Sequence, residues 1–235
     1  MQRKGRKAVH IWLLIGVIML LGQVVLGGIT RLTGSGLSMT EWEVFTMIPP
    51  MNEVQWNEAF DLYKVTPQYD KINKGMSLSE FKWIYFWEFF HRNWARLLGF
   101  VFLFPFIYFL YKKWLPKRLV RQLGLVILWT ILTATFGWFM VASGLVERPW
   151  VNAYMLSAHL ILGMGLTALL YYVSLDYRYN VKSISTIYKP YKKFASWFIF
   201  FVVVQIVLGG WMSGMKAGLF YPTWPDMHGA LIPDV

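Results

Sequence analysis

The residues of this sequence that could do chemistry are concentrated in one short stretch, from Glu88 to Arg96. Glu88, His91 and Arg92 are spaced i, i+3 and i+4, so a helix places them on one face, with Arg96 one turn further along. The stretch begins a long apolar segment. Ionisable groups in or beside hydrocarbon usually serve a function, because their burial is costly. The pattern therefore predicts a functional site at the start of a membrane helix.

A second histidine, His159, lies about two turns inside a later apolar segment. That segment and the one headed by Glu88 are predicted to cross in the same direction, so His91 and His159 lie at comparable depth toward the outer surface. A neutral imidazole is a good ligand for iron or copper. Two imidazoles on facing helices of a four-helix bundle can hold a planar macrocycle between them. The remaining histidines, His10 and His228, are interpreted as incidental.

Four arginines are predicted on the same outer side as the two membrane histidines. Arginine binds carboxylates in bidentate fashion, and the propionates of a heme are carboxylates. The combination favours a heme site. A buried histidine can also serve only as a hydrogen-bonding group between helices, and both alternatives stay open at this point. The four arginines are Arg31, Arg92, Arg96 and Arg148.

Apolar segments long enough to cross a membrane must position these groups. The chain is 57% hydrophobic and only 15% charged, which excludes an ordinary soluble domain. A helix needs about 20 apolar residues for one crossing. The predicted fold class is therefore an all-α, polytopic membrane protein. The five predicted crossings cover about 9–29, 79–111, 122–142, 151–175 and 194–212.

The basic residues are segregated along the chain. Of the 23 Lys and Arg, 14 lie before the first crossing, between the second and third, and between the fourth and fifth. Positively charged loops stay in the cytoplasm, so the N-terminus is predicted to be cytoplasmic and, for a bacterial source, the membrane is the inner (plasma) membrane. The formal net charge of +11 thus reflects topology and does not indicate a nucleic-acid partner.

The outer loop between the first two crossings contains a helical pattern. Trp56, Ala59, Phe60 and Tyr63 are spaced i, i+3, i+4 and i+7, which indicates a short amphipathic helix. Such a helix could lie on the membrane, cap a pocket, or be a plain surface helix.

The first and fifth crossings carry an internal repeat. Gln23–Gly28 matches Gln205–Gly210, and at the same offset of 182 residues Gly36-Leu37 matches Gly218-Leu219. Duplicated membrane proteins show such internal symmetry. The implied unit is four helices, with the fifth crossing opening a second copy.

The second copy is incomplete, so the sequence is either a piece of a longer protein or a natural half-length form, and we expect the first. The predicted divisions are a first four-helix transmembrane bundle at 1–175 with an outer loop at about 38–79, a cytoplasmic linker at 176–193, and a fifth helix with an outer tail at 194–235.

In several of these stretches the sequence resembles the heme A synthase family. The resemblance covers nearly the whole chain in the right order and corresponds to the N-terminal half of the family plus its fifth helix. The sequence has no cysteine, so it is similar to the group without an outer-loop cysteine pair. The stretches are Gly27–Ser38, Glu88–Arg96, Ser143–Leu145, Pro149–Leu160 and Ala217–Met227.

The resemblance implies an eight-helix protein made of two homologous four-helix halves. Such enzymes oxidise a ring methyl of heme O to a formyl group by successive hydroxylations, giving heme A for terminal oxidases. The first half is expected to receive heme O as substrate, and the second half to hold a heme b cofactor. Expected partners are membrane lipid, a heme O synthase and an electron donor.

Carried onto this sequence, the resemblance makes His91 and His159 the iron-side residues of the substrate site and Glu88 the catalytic carboxylate. Arg92 and Arg96 are expected to contact the same heme. Glu88 has a simpler interpretation as an i,i+4 ion pair with Arg92, worth about 0.3–0.5 kcal/mol when exposed. Two other functions stay open: a membrane heme protein that transfers electrons, and a non-catalytic factor for oxidase assembly.

Overall fold

The computed structural model describes residues 3–40, 48–144, 149–181, 189–220, 223, 226, 229 and 230. In chain order the α-helices are α1 (Arg3–Leu32), α2 (Glu53–Lys64), α3 (Pro67–Lys71), α4 (Leu78–Tyr111), α5 (Lys117–Gly144), α6 (Ala153–Tyr179), α7 (Lys192–Gly214) and α8 (Ala217–Phe220). A short 3₁₀ turn at Lys189–Tyr191 precedes α7. Arg148 and His228 lie outside the described residues.

Five of these helices, α1, α4, α5, α6 and α7, are long and apolar enough to cross a membrane. The prediction of an all-α, polytopic membrane protein is confirmed. The longest is α4, with 34 residues and a length of about 51 Å at 1.5 Å per residue. The hydrocarbon core is only about 30 Å thick, so α4 is long enough to extend beyond it by several turns.

The helix contacts define an open ring. α1 packs against α4 and α6, and α6 also packs against α5, while α7 lies against α6. Within the described part of the chain, the backbones of α4 and α5 do not come close to each other, although side chains of both helices share one apolar core. The order around the ring is therefore α4, α1, α6, α5, with an open side between α4 and α5. This order places α4 opposite α6 and α1 opposite α5.

The two ends of the ring differ in composition. We call the end where α1 begins the basic end, and the end where α1 finishes the site end. The main apolar core occupies the basic end, where Trp12 on α1 stacks near Phe106 and Phe109 on α4. There the buried carboxylate of Asp176 accepts hydrogen bonds from Arg118 at 2.6 Å and Gln122 at 2.8 Å. These bonds satisfy the buried charge and join α5 to α6.

The amphipathic helix predicted in the outer loop is α2. Its apolar face packs on α4, where buried Phe60 and Tyr63 lie against Phe81 and Ile84 in the first two turns. Burial raises the pKa of the Tyr63 hydroxyl, which accepts a 2.6 Å hydrogen bond from Asn73. The first turns of α4 therefore carry a small aromatic core of their own.

The start of α4 is fixed by local sequence. Ser77 is the N-cap residue, and Glu80 completes a capping box by accepting a hydrogen bond from the Ser77 backbone amide at 2.8 Å. This arrangement satisfies two amide groups that would otherwise lack partners at the helix start. It fixes where α4 begins, and so the position of every functional residue further along it.

We predict that the small aromatic core needs Phe81. Replacing a buried Phe by Ala costs about 3–5 kcal/mol, so Phe81→Ala should let α2 open and exchange its amide hydrogens at least about tenfold faster. Val65→Ala is the control, since Val65 is 82% exposed. Hydrogen–deuterium exchange over 53–71 measures the effect, and equal exchange in the two variants would contradict the assignment.

Candidate heme site

The two membrane histidines lie on opposite helices of the ring, His91 on α4 and His159 on α6. Each imidazole packs against a glycine on one of the other two opposite helices, α1 and α5. A Cβ atom added at Gly27 on α1 would lie 3.2 Å from His91 Nε2, and one added at Gly137 on α5 would lie 3.0 Å from His159 Cε1. The glycines thus leave room for both imidazoles inside one bundle.

The hydrogen bonds of His159 define its tautomer. Its Nδ1 lies 3.0 Å from the backbone oxygen of Thr133 on α5. A carbonyl oxygen can only accept, so Nδ1 carries the proton and Nε2 retains its lone pair. Metal-binding histidines are commonly oriented in this way by the second ring nitrogen. The ring of His159 is therefore prepared to ligate through Nε2.

His91 is held through its backbone as well as by Gly27. Gln23 on α1 donates from Nε2 to the His91 carbonyl oxygen at 3.3 Å. That His91 and His159 together form one heme site stays a prediction.

Glu88, one turn before His91, is buried, with 2% of its side chain exposed. One carboxylate oxygen, Oε2, accepts hydrogen bonds from Ser38 Oγ at 2.7 Å and from the Met39 amide at 2.8 Å. The other, Oε1, forms an ion pair with Arg92. The modest energy of an exposed i,i+4 pair does not apply here, because removing one partner of a buried pair costs about 3–5 kcal/mol.

Of the four arginines predicted beside the site, the three that lie in the described part of the chain have partners within the protein. Arg92 also donates to the Met39 carbonyl oxygen at 3.3 Å, and Arg96 donates to Asn93 Oδ1 at 2.8 Å. Arg31 donates to the backbone oxygen of Ser213 on α7. Contact between these guanidinium groups and heme propionates stays a prediction.

Sequence reasoning missed several residues that shape the site. Ser38 ends one of the stretches that carry the family resemblance, but the sequence assigns it no role, and Gly137 stands in none of those stretches. Gln23 and Thr133 act through contacts with distant parts of the chain: Gln23 is separated from His91 by 68 positions, and Thr133 from His159 by 26. The signal available for Gly137 was a glycine within an apolar segment, which permits the close approach of another helix.

The residues present fit a heme better than a small metal ion. Among the described residues no group of three or more His, Asp or Glu could hold a metal ion, whereas a heme iron needs only one or two axial donors. Three buried polar atoms near this end of α1 and α4 have no protein partner: Gln23 Oε1, Arg31 Nε and Trp87 Nε1. Buried polar atoms of this kind call for a ligand or ordered water.

The family model and the individual relatives that match this chain point to the same protein family. Residues 10–235 match the family model described as cytochrome oxidase assembly protein. A relative named heme A synthase from Wolbachia pipientis subsp. Culex pipiens is 43% identical over 97% of this chain. Relatives with the same name from Flavobacterium psychrophilum and Parvibaculum lavamentivorans are 42% and 44% identical, each over 95% of this chain. No solved structure matches.

The chain covers only part of those relatives. It spans 69% of the Wolbachia protein, 66% of the Flavobacterium protein and 65% of the Parvibaculum protein. The resemblance stated from the sequence motifs is confirmed.

We predict that Gly27→Ala weakens heme binding while Gly28→Ala does not. The added methyl at position 27 forces the His91 ring from its position, and an off-rotamer side chain costs about 0.5–1.5 kcal/mol, which is up to about tenfold in dissociation constant. Nothing lies within 4 Å of a Cβ at Gly28, which makes it a matched neighbour. Optical titration of the purified chain with ferric heme measures both, and equal affinities would contradict the role of Gly27.

Proposed function

Because this chain belongs to the cytochrome oxidase assembly protein family, we propose that it acts in heme A synthesis, oxidising a ring methyl of heme O to a formyl group. The relatives named heme A synthase support an oxidoreductase. The observation that carries the proposal is the pair of opposed imidazoles, each resting on a glycine, with a buried carboxylate one turn from His91.

Heme O is the substrate of the site between His91 and His159. His159 offers Nε2 to the iron because Nδ1 donates to Thr133, and His91 faces it from the opposite helix. Arg92 and Arg96 lie along the same helix as His91, where their guanidinium groups suit the propionates. The imidazoles hold and orient the macrocycle, so that one ring methyl is presented to the groups around Glu88.

The conversion is a net four-electron oxidation of one methyl carbon. With dioxygen as the oxidant, each hydroxylation puts one oxygen atom into a C–H bond, and the other oxygen atom leaves as water after taking up two protons and two electrons from the donor. The first hydroxylation gives an alcohol, and the second gives a gem-diol, which loses water to leave the aldehyde. The heme supplies the redox chemistry, and the protein supplies position and proton handling. Glu88 is the proposed catalytic carboxylate: it relays protons, or stabilises positive charge that develops at the methyl carbon.

A heme b cofactor belongs to a second site formed by residues other than these two histidines. Gly209 on α7 is the repeat equivalent of Gly27. From this repeat we propose a second histidine pair beside α7, as the division into two homologous bundles predicts.

The site end is proposed to face outward across the inner membrane, with the basic end and the N-terminus in the cytoplasm. Basic residues gather at the starts of α1 and α5 and after α6, as expected for cytoplasmic ends. The proposed partners are a heme O synthase that supplies the substrate, an electron donor, and the surrounding lipid.

The proposal is tested by assaying heme conversion in membranes that contain this chain and heme O. Glu88→Gln should lower heme A formation by about 10²-fold or more, the usual contribution of a general acid or base. His91→Ala and His159→Ala should abolish heme O uptake and product together, because each removes one side of the binding site.

The matched control is His10→Ala, since His10 lies near the start of α1 at the basic end. It should retain both heme O uptake and heme A formation. Pigment extracted from the membranes and separated by chromatography identifies the product. If heme O is bound but is recovered unchanged, the result would support an electron-transfer protein instead. A normal rate of heme A formation in Glu88→Gln would show that this carboxylate is not catalytic.

A further inference from the structure

The segment that follows α1 folds into a compact turn at the site end of the ring. We call residues 33–39 the strap. Gly34 adopts a left-handed conformation, with φ of 67°, and the hydroxyls of Thr33 and Ser35 lie 2.6 Å apart. The Ser35 amide donates to the Thr30 carbonyl at 2.9 Å. Ser35 and Ser38 are almost completely buried, so the strap is an interior part of the protein.

One end of the strap is attached to α4 by hydrogen bonds. Ser38 Oγ donates to Glu88 Oε2 at 2.7 Å, and the Met39 amide donates to the same oxygen at 2.8 Å. Arg92 completes the attachment by donating to the Met39 carbonyl while it pairs with Glu88. The buried carboxylate therefore links the strap to the helix that carries His91.

The middle of the strap is attached to α5 by packing. Leu37 is 2% exposed and lies in a small apolar cluster with Val141 and Val151. A Cβ atom added at Gly144, the last residue of α5, would lie 2.9 Å from both Leu37 methyl groups. The absence of a side chain at Gly144 is thus what lets Leu37 pack against α5.

A third contact holds the strap from outside the ring. Gln68 on α3 donates from Nε2 to the Gly34 carbonyl oxygen at 2.9 Å. α2 and α3 belong to the small aromatic core at the start of α4. Through Gln68 they therefore also hold the strap in place.

The strap joins α4 and α5, whose backbones do not come close to each other and whose side chains pack together in the apolar core at the basic end. Its attachment at Glu88 lies about 4.5 Å along α4 from His91, and its attachment at Gly144 lies about 10.5 Å along α5 from Gly137, at 1.5 Å per residue. Because Gly137 contacts the ring of His159, the separation of α4 from α5 affects both imidazoles. At the site end, the strap bridges the open side of the ring.

We propose that Leu37 and Ser38 are positioning residues of the heme site: by joining α4 to α5 they fix the separation of the two helices and hold the Glu88 carboxylate in place. Neither residue needs to touch the substrate. The effect on heme O rests on the proposed function, whereas the effect on helix separation does not.

The absence of cysteine from the sequence permits a direct measurement of that separation. Spin labels are attached at Phe90→Cys on α4 and Trp138→Cys on α5, both at exposed positions. Pulsed electron–electron double resonance then gives the distance distribution in the otherwise unchanged chain. Optical titration with heme O of the chain without labels gives the affinity of the site.

Two substitutions disturb the strap from different sides. Gly144→Ala displaces Leu37 from α5, and Ser38→Ala removes one hydrogen bond to buried Glu88. Each should shift or widen the distance distribution. Each should also raise the dissociation constant for heme O by about tenfold, the order expected when a buried polar group loses a partner or when an added methyl group overpacks the interior. Gly124→Ala on the same helix is the control, because nothing lies within 4 Å of its added Cβ.

The outcomes separate the two proposals. If the distance distribution is unchanged in both variants, the strap does not set the helix separation and the inference is wrong. If the distribution changes while heme O affinity stays within about twofold of the control, the positioning role is also wrong. If the unsubstituted chain takes up no heme O, the proposed function fails, and the distances alone decide whether the strap spaces the helices. Should Gly144→Ala fail to fold, Ser38→Ala carries the test.

Discussion

Two imidazole rings occupy the interior of this bundle because the helix facing each ring has a glycine at the same level. Gly27 leaves room for His91, and Gly137 leaves room for His159. Protein interiors are close-packed, and an added methyl group there must displace something. The close approach of α1 and α5 to the rings therefore fixes where a macrocycle can be held. The chemistry proposed for the site depends on that approach.

The site depends on a second constraint: a charged group that is buried there must be paired. The carboxylate of Glu88 has donors on both oxygens, from the strap and from Arg92. An unpaired charge at this depth would be far more costly than the loss of an apolar contact. The main apolar core at the basic end holds α1, α4, α5 and α6 together. This leaves the site end free to carry groups that contribute to function more than to stability.

Much of this architecture follows from local sequence. The five crossings follow from the lengths of the apolar runs, and α2 follows from the spacing of Trp56, Phe60 and Tyr63. The ring order does not follow, because the identity of neighbouring helices depends on packing between distant segments. The bond from Ser38 to Glu88 joins residues 50 positions apart, and no local pattern reports it. The tautomer of His159 likewise depends on a carbonyl oxygen of another helix.

The central claim is that His91 and His159 bind one heme from its two faces. Its most direct test is pulsed electron paramagnetic resonance of the purified chain, labelled with ¹⁵N-histidine and loaded with ferric heme O. The account predicts a low-spin iron coupled to two ¹⁵N imidazole nitrogens. A high-spin iron, or a low-spin iron without histidine couplings, would contradict it.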